Sequence, residues 1–487
     1  MRPLLLVICL LLVAPAAARA DGLPLGAEEL PEARATQILV PGVTHTRIVR
    51  GTPDAAATWG IDAAVVAERA EADALAVRLG AAGAPVRVDA VGRGQRVRTG
   101  AFATQAEADA ERARLTGLGF TGLRTVYSAE DGTPTTGPWV VNAIEAPPWR
   151  VRSALATDVV PGRELLTGLA ARRAPLAAIN GGYFVIGAEN GTDGDLAGLS
   201  VLGGAVVSEA VDGRTSLILR RAGASVDTPS DDHHVRAGGA MRELSFNRAP
   251  GLIRGCGGTG GDAPTEAPKH DFTCTDASEL IAFTPDFGAA TPAGDGTEVV
   301  LSARGRVLAL RPRGGPISPD GSVLAGSGDA TAWLAEHAEP GQRLRLRSRV
   351  TGERGALAFR ARTAVVNGGP RLLRAGRTDI TAVAEGFDWP EDPGFLYRFG
   401  LRRNSRTLAG ITPGGRVLLV TVEGRQPGYS AGVSFAESAA IMRALGARDA
   451  VNLDGGGSTG LTLGAELLTR PSDATGERPI GDALLIF

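Results

Sequence analysis

Residues 450–458 of this 487-residue chain read Ala-Val-Asn-Leu-Asp-Gly-Gly-Gly-Ser. An apolar run typical of a buried strand ends here in a carboxylate, Asp454, which three glycines follow. Glycine accepts positive φ angles and lets the backbone approach a ligand closely. The pattern predicts a buried strand that ends in a cleft, with Asp454, Gly455 and Gly456 beside the ligand.

Three other apolar runs end in the same manner. Residues 175–179 lead into Asn180-Gly-Gly-Tyr183, residues 364–366 into Asn367-Gly-Gly, and residues 417–422 into Glu423-Gly-Arg425. Asn-Gly and Asp-Gly are common turn sequences, so any one junction is more simply a turn. Four junctions of this kind together favour one site, at which neighbouring strands bring two carboxylates and two amides around a cleft.

The rest of the chain after residue 139 consists of short apolar runs broken by glycines, with two candidate helices at 163–172 and 435–445. The second helix follows Ser434 and Glu437, which have the spacing of a capping box. Glu437 is therefore interpreted as structural rather than catalytic. This pattern predicts a large, strand-rich, mixed α/β domain over 139–487.

Residues 45–128 have a different pattern, in which helices and strands alternate. The predicted order is a helix at 66–79, strands at 86–88 and 97–99, a helix from a capping box at Thr104 and Glu107, and a strand at 123–127. Such an order indicates a small split-βαβ domain with a ferredoxin-like fold. The turn-rich residues 129–138 are interpreted as a linker. The predicted fold class of the whole chain is α+β.

The small domain also carries short family motifs, Val97-Arg-Thr-Gly-Ala-Phe102, Ala103–Ala108 and Leu118-Gly-Phe120. With these motifs the segment resembles the SPOR domain family, which binds the glycan of bacterial peptidoglycan. The resemblance implies peptidoglycan as a partner. A purely structural N-terminal module is the alternative.

The composition limits the class of protein. With 51 Lys+Arg and 53 Asp+Glu the formal net charge is −2, which excludes a basic nucleic-acid coat and a polyacidic tail. Arg2, the apolar residues 4–13 and the small residues around Arg19 form a secretory signal over 1–20. No later segment is long and apolar enough for a membrane helix. We therefore expect a protein that is secreted or resides in the cell envelope.

Two cysteines, Cys256 and Cys274, remain after the signal segment. They are 18 residues apart, and in an oxidising compartment they most simply form a disulfide. A metal or thiol site is the rival interpretation. Asn190, Asp193 and Asp195 form an acidic loop of the kind that binds calcium, but the glycine and final glutamate of an EF-hand are missing. No cofactor is otherwise indicated.

The strand-end motifs carry a second resemblance, through Val420-Thr-Val-Glu-Gly-Arg425, Tyr429-Ser-Ala-Gly432 and Asn452-Leu-Asp-Gly-Gly-Gly-Ser458. They resemble the phosphodiester glycosidase family, and residues 180–184, 362–364 and 477–480 match its pattern in the same order. The resemblance covers about residues 140–487. It implies cleavage of the bond between an anomeric carbon and a phosphodiester oxygen. Glu423 stands where the family usually has Asp.

The resemblance also implies roles for the candidate residues. Asp454 is the first and Glu423 the second candidate for a carboxylate that acts as nucleophile or as base for water. The anion would be bound by arginines, and the sugar by amides and a tyrosine; the candidates are Arg362, Arg406, Arg425, Asn180, Asn367 and Tyr183. Since a phosphate monoester has a second pKa of about 6, it leaves easily and the need for a general acid is low. A non-catalytic glycan-binding envelope protein and a phosphodiesterase that cleaves P–O remain alternatives.

Overall fold

The computed structural model describes residues 22–211, 213–256 and 268–487 of the chain. The predicted signal segment at 1–20 lies outside the described residues. The fold is α+β and rich in strands, with a small unit inserted into a larger one. Among the described residues, no helix is long and apolar enough to cross a membrane.

The small unit is a four-stranded antiparallel sheet with two helices on one face. Its strands are, in spatial order, Val86–Val91, Gly94–Phe102, Trp59–Val66 and Arg124–Tyr127. The helices are Arg69–Ala81 and Gln105–Gly117, and Thr104 and Glu107 form the predicted capping box of the second. Apolar side chains such as Ile61 and Val97 pack beneath the helices. The split-βαβ prediction is therefore confirmed.

The larger unit is organised around an eight-stranded sheet. Its strands are, in spatial order, Glu32–Val40, Val43–Arg50, Trp139–Ala146, Val417–Val422, Arg406–Ile411, Asp449–Asn452, Arg371–Arg374 and Arg377–Thr378. The first two strands precede the small unit, and the third follows it. Residues 32–50 thus belong to the sheet of the larger unit, and the small unit is inserted between its second and third strands.

The described part of the larger unit contains five further sheets. One five-stranded sheet has the order Glu466–Leu467, Leu461–Leu463, Ala177–Asn180, Asp482–Ile486 and Val151–Leu155, and a second has Ala205–Ser208, Ser200–Leu202, Ala364–Asn367, Ser216–Arg220 and Gly223–Asp227. A third has Ser245–Phe246, Leu280–Phe283, Ser322–Gly326, Thr297–Leu301 and Val307–Pro312. A four-stranded sheet has the order Ala240–Glu243, Ser230–Ala237, Arg345–Gly352 and Gly355–Leu357. A two-stranded sheet consists of Leu252–Arg254 and Thr273–Thr275.

Over the residues that the structure describes, the helices of the larger unit are few and short. They are Leu166–Arg173, Asp329–His337, Phe435–Ala444 and Gly394–Leu396, and the last continues into π-helical turns at Tyr397–Leu401. Helix Phe435–Ala444 has the predicted capping box of Ser434 and Glu437, and it packs on one face of the eight-stranded sheet. The other face packs against the five-stranded sheet that contains Ala177–Asn180.

Antiparallel pairing places the glycine-rich strand ends together. Arg406 begins its strand opposite Val422, which ends the neighbouring strand. Leu408 lies opposite Asn452, near the end of the strand that leads into Asp454. The start of one strand and the ends of two others therefore meet at the same edge of the sheet.

Candidate active site

A cavity of about 220 Å³ opens where these strand ends meet. Six of the residues that the sequence singled out line it, namely Tyr183, Arg406, Arg425, Asp454, Gly455 and Gly456. The cavity is thus built by the junctions that follow the strands Ala177–Asn180, Val417–Val422 and Asp449–Asn452, together with the start of Arg406–Ile411.

Two carboxylates line the cavity, Asp454 and Asp271, and Asp271 pairs with Arg254. Asp454 is the one that the strand-end motif predicts. Its Oδ1 accepts a hydrogen bond of 2.8 Å from the backbone N–H of Gly455, and its own N–H bonds to the carbonyl of Gly181 at 3.2 Å. Burial raises the pKa of Asp454 to about 6, although Ser458 and the Gly455 N–H favour the charged form. A carboxylate with this pKa is largely ionised at neutral pH and can act as a nucleophile or a base.

A further carboxylate, Asp482, is buried next to Asp454. Its Oδ1 accepts a 2.8 Å hydrogen bond from the N–H of Gly182. Burial and, to a smaller extent, the negative charge of Asp454 together raise the pKa of Asp482 to about 7. Gly181 makes room for this arrangement, since a Cβ there would lie 2.3 Å from Asp482 Oδ1. The sequence analysis missed Asp482; its only signal is an acidic residue that opens the last apolar run.

Asn180 fixes the relative position of the strand ends. Its Oδ1 accepts hydrogen bonds from Thr407 Oγ1 at 2.6 Å and from the Gly460 N–H at 3.1 Å, and its Nδ2 donates to the carbonyl of Asp454 at 2.9 Å. The side chain is fully buried. These contacts support the backbone of Asp454 and leave one amide hydrogen for any other partner.

Asn367 and Tyr183 form another internal support. Asn367 accepts from the Tyr183 N–H at 2.8 Å and donates to the Tyr183 carbonyl at 3.2 Å. The Tyr183 hydroxyl donates to the Gly369 carbonyl at 2.7 Å and accepts from Asn452 Nδ2 at 2.8 Å. Burial raises the pKa of this hydroxyl well above its usual value. Tyr183 is thereby anchored as a neutral phenol that lines the cavity.

Arg406 is a buried cation at the cavity wall. Its Nε donates to the Val433 carbonyl at 3.2 Å, its Nη2 donates to the Phe399 carbonyl, and its guanidinium lies 4.4 Å from the ring centre of Phe435. Burial lowers its pKa to about 10, so it stays charged at neutral pH. Its Nη1 has no hydrogen-bond partner within the described part of the chain, which leaves that nitrogen for an anion.

Arg425 approaches the same space from the strand end after Val422. Its backbone has a φ of 57°, and its Nε donates to Asn404 Oδ1 at 2.9 Å. A Cβ at Gly456 would lie 3.2 Å from Arg425 Nη2, so glycine at that position lets the guanidinium lie against the backbone. Burial lowers the pKa of Arg425.

The cavity also contains residues that the sequence analysis did not single out, among them Arg214, Arg478, Asn404 and His270. Arg214 donates from Nε to the Glu385 carbonyl at 2.7 Å, while its buried Nη2 has no hydrogen-bond partner in the described ranges. Burial lowers the pKa of Arg214 to about 10. Arg478 falls in the closing motif 477–480, but Arg214 and His270 have no local sequence signal.

Glu423 lies away from the cavity. Its Oε2 accepts from the Arg470 N–H at 2.8 Å, and its Oε1 accepts from Asn142 Nδ2 at 3.4 Å. Asn142 in turn contacts His45 at 3.2 Å, and Gln37 contacts the other ring nitrogen of His45 at 3.0 Å. Burial raises the pKa of Glu423. Its carboxylate therefore belongs to a polar network between the sheets.

Arg362 also lies elsewhere. It is exposed, has a φ of 71°, and lines a separate cavity with Trp149 and Arg220. It precedes the strand Ala364–Asn367, so it lies at the opposite end of that strand from Asn367.

Two residues of the acidic loop accept hydrogen bonds from arginine side chains of the protein. Asn190 Oδ1 accepts from Arg254 Nη1 at 3.1 Å, and Asp193 Oδ2 accepts from Arg163 Nε at 2.9 Å. Asp195 is buried, and burial raises its pKa well above the usual value. Within the described ranges, no group of three His, Cys, Asp or Glu side chains is arranged to hold a metal ion.

Cys256 and Cys274 form the expected disulfide. It joins the end of the strand Leu252–Arg254 to the strand Thr273–Thr275, which pairs with it. This short hairpin-like pair lies beside the cavity, because Arg254 and His270 both line the cavity wall.

Comparisons with known proteins agree with this architecture. Residues 295–487 match the family model described as phosphodiester glycosidase, and residues 55–123 match the SPOR domain. A solved structure of an exported protein from Burkholderia pseudomallei is 34% identical, with a TM-score of 0.86, and the match covers 97% of this chain and 99% of that one. None of the curated proteins matches the chain.

Two more distant structures are also similar. A hypothetical protein from Synechocystis has 19% identity and a TM-score of 0.55, over 93% of this chain and 81% of that one, and shares the fold. The catalytic domain of zebrafish N-acetylglucosamine-1-phosphodiester alpha-N-acetylglucosaminidase has 14% identity and a TM-score of 0.34, over 83% and 82% of the two chains.

Proposed function

The chain belongs to the phosphodiester glycosidase family and carries a SPOR domain, and from this premise we propose that it is a secreted glycosidase. Its substrate would be a sugar-1-phosphodiester of the cell envelope or of an exopolysaccharide. The reaction would hydrolyse the anomeric C–O bond and release a phosphate monoester. The SPOR domain, a class of domain that binds peptidoglycan, would direct the enzyme to the wall.

The observation that carries this proposal is the meeting of Asp454 with several arginines in one cavity. Arg406 and Arg214 each have one guanidinium nitrogen without a partner in the described residues, and Arg425 lies against Gly456. Arginine binds phosphate oxygens through several donors and keeps its charge when buried. These side chains can bind the phosphate of the diester and the phosphate monoester dianion that leaves.

Asp454 supplies the complementary chemistry at the anomeric carbon. A carboxylate stabilises the oxocarbenium-like centre that develops as the C–O bond breaks, either by direct attack or as base for water. The leaving phosphate needs little protonation. A carboxylate at the anomeric carbon and a binding site for the phosphate therefore provide the groups that the reaction needs.

Turnover of a hexose-1-phosphate methyl diester in oxygen-18 water tests the proposal. We expect the label in the released sugar, since water ends on the anomeric carbon when C–O breaks. Label in the phosphate would instead indicate a phosphodiesterase that cleaves P–O. Binding of the diester without any product would indicate a glycan-binding protein. Either of these two results would refute the proposed reaction.

A further inference from the structure

The disulfide-linked segment contributes directly to the cavity, and the following inference rests on the proposed function. Arg254 and Gly255 line the cavity immediately before Cys256, and His270 and Asp271 line it a few residues before Cys274. The two sides of the disulfide therefore form one wall of the site.

His270 is the buried polar residue of this wall. Its ring stacks on Phe387 at 4.5 Å with an interplanar angle of 26°, and it lies 4.8 Å from the ring of Phe399. Tyr183 meets it edge-on at 4.4 Å. Rings on three sides hold the plane of the imidazole, and the contact with Arg214 places Nδ1.

The tautomer of His270 follows from its neighbour. Arg214 Nη1 lies 2.9 Å from His270 Nδ1, and a guanidinium can only donate, so Nδ1 accepts. Burial and the positive charge of Arg214 hold the pKa of His270 well below its usual value. The imidazole is therefore neutral, and its proton is on Nε2, which has no hydrogen-bond partner in the described ranges.

We propose that His270 donates its Nε2–H to a phosphate oxygen of the substrate, beside Arg214, and that the Cys256–Cys274 disulfide holds it there. Arg214 Nη2, which is buried without a partner in the described residues, points to the same ligand class. A neutral donor together with a fixed cation suits an anionic oxygen. His270 is in this view a substrate-binding residue of the cavity.

The disulfide acts locally in this arrangement. Besides the S–S bond, the segment is held by hydrogen bonds from the Lys269 N–H to the Cys256 carbonyl at 3.0 Å and from the His270 N–H to the Gly386 carbonyl at 2.8 Å. Cys256 and Cys274 pack in a small cluster with Ile253 and Phe272, separate from the main cores. Loss of the disulfide should therefore loosen this wall and leave the main cores intact.

The first test measures the affinity of inorganic phosphate by titration calorimetry, together with turnover of the methyl diester. His270→Phe keeps an aromatic ring against Phe387 but has no N–H, and we expect the phosphate Kd and KM to rise about tenfold or more. His270→Gln can still donate and should recover part of the affinity. The control is His337→Phe, because His337 is a partly exposed histidine at the end of helix Asp329–His337. Unchanged Kd and KM in His270→Phe would overturn the proposal.

The second test removes the disulfide with the double variant Cys256→Ser and Cys274→Ser. We expect the phosphate Kd and KM to rise as in His270→Phe, with little change in kcat and in the main unfolding temperature. Wild-type affinity in this variant would overturn the role of the disulfide. If the wild-type protein binds phosphate but hydrolyses no diester, the proposed function fails while the phosphate-binding results still decide the inference.

Discussion

At the scale of single residues, two neighbouring carboxylates at the candidate site have different surroundings. Asp454 is partly accessible from the cavity, and Asp482 is buried next to Asp454. Both pKa values are raised by burial, to about 6 and about 7. At neutral pH Asp454 is mostly charged while Asp482 is only partly charged, which suits a reactive carboxylate beside a supporting one.

The first prediction concerns Asp454. The variant Asp454→Asn should abolish turnover of the sugar diester, because an amide can neither attack the anomeric carbon nor accept the proton of water. The fold should change little, since an amide oxygen can still accept from the Gly455 N–H. Turnover and the unfolding temperature should be measured on the same preparation. Wild-type turnover in Asp454→Asn would contradict its assignment as the catalytic carboxylate.

The second prediction concerns the stability cost of Asp482. Its pKa is raised from about 4 in the unfolded chain to about 7 in the fold, so its contribution to stability is full below pH 4 and is lost as the pH rises to 7. At about 1.4 kcal/mol per pKa unit, the loss is up to about 4 kcal/mol. Asp482→Asn keeps an acceptor for the Gly182 N–H and avoids this loss.

Thermal unfolding at two pH values checks this prediction. Asp482→Asn should unfold at a higher temperature than the wild type at pH 8, and the difference should shrink toward zero near pH 4. An equal difference at both pH values would show that ionisation of Asp482 is not its cause.

At the scale of elements, strand pairing decides which predicted residues meet. Arg406 and Arg362 are each followed by a threonine and an apolar run. Arg406 is the first residue of a strand that is antiparallel to Val417–Val422, so it lies beside the end of that strand. Arg362 is separated from Asn367 by the length of a strand, roughly 3.3 Å per residue. The order and direction of strands are non-local properties, and the sequence motifs do not contain them.

The sequence also did not predict the face of the sheet toward which each side chain points. The strand Val417–Val422 is apolar except for Thr421 and is fully buried, so no alternation of polar and apolar residues indicates which face leads to the cavity. Glu423 consequently turns toward Asn142 between the sheets, while Arg425, two residues later, reaches the cavity through a positive φ. The glycine junctions predicted where the site lies more reliably than which side chains enter it.

The third prediction tests the close packing of the strand ends. A Cβ at Gly181 would lie 2.3 Å from Asp482 Oδ1, and the carbonyl of Gly181 holds the N–H of Asp454. Gly181→Ala should therefore lower the free energy of unfolding by about 1–3 kcal/mol and reduce kcat, because both carboxylates must shift. Denaturant unfolding and steady-state kinetics measure the two effects.

Gly117→Ala is the matched control for Gly181→Ala. Gly117 ends a helix, and a Cβ there would meet nothing within 4 Å. Alanine at this position should leave kcat unchanged and keep or slightly raise stability, since it favours the helix. Equal effects of both substitutions would mean that the contact with Asp482 is unimportant.

At the scale of the whole molecule, the SPOR domain is fixed to the larger unit through its sheet. One face of that sheet carries the two helices, and the other face presents Asp62, Arg96 and Arg98. Arg98 pairs with Asp62 at 2.6 Å and with Asp131 of the following segment, and Arg96 donates to the Tyr397 hydroxyl at 2.5 Å. Both faces of the sheet are therefore partly covered by the protein itself.

The covered face connects the SPOR domain to the cavity wall. Tyr397 begins a π-helical segment, an irregularity that is frequent at functional sites, and the next two residues, Arg398 and Phe399, line the cavity. The Tyr397 hydroxyl also donates to Asp131 at 3.2 Å. The SPOR domain thus contacts the segment that forms one wall of the cavity.

The last prediction follows from this contact. Tyr397→Phe keeps the ring but removes the hydroxyl that contacts Arg96 and Asp131, so Arg398 and Phe399 should lose part of their fixed position. We expect KM for the sugar diester to rise severalfold and kcat to change less, because Asp454 is carried by a different strand end. Tyr127→Phe is the control, since its hydroxyl has no hydrogen bond within the described part of the chain. A KM equal to that of the wild type would mean that the SPOR domain does not position the cavity wall, and an equal rise in Tyr127→Phe would mean that the effect is not specific to Tyr397.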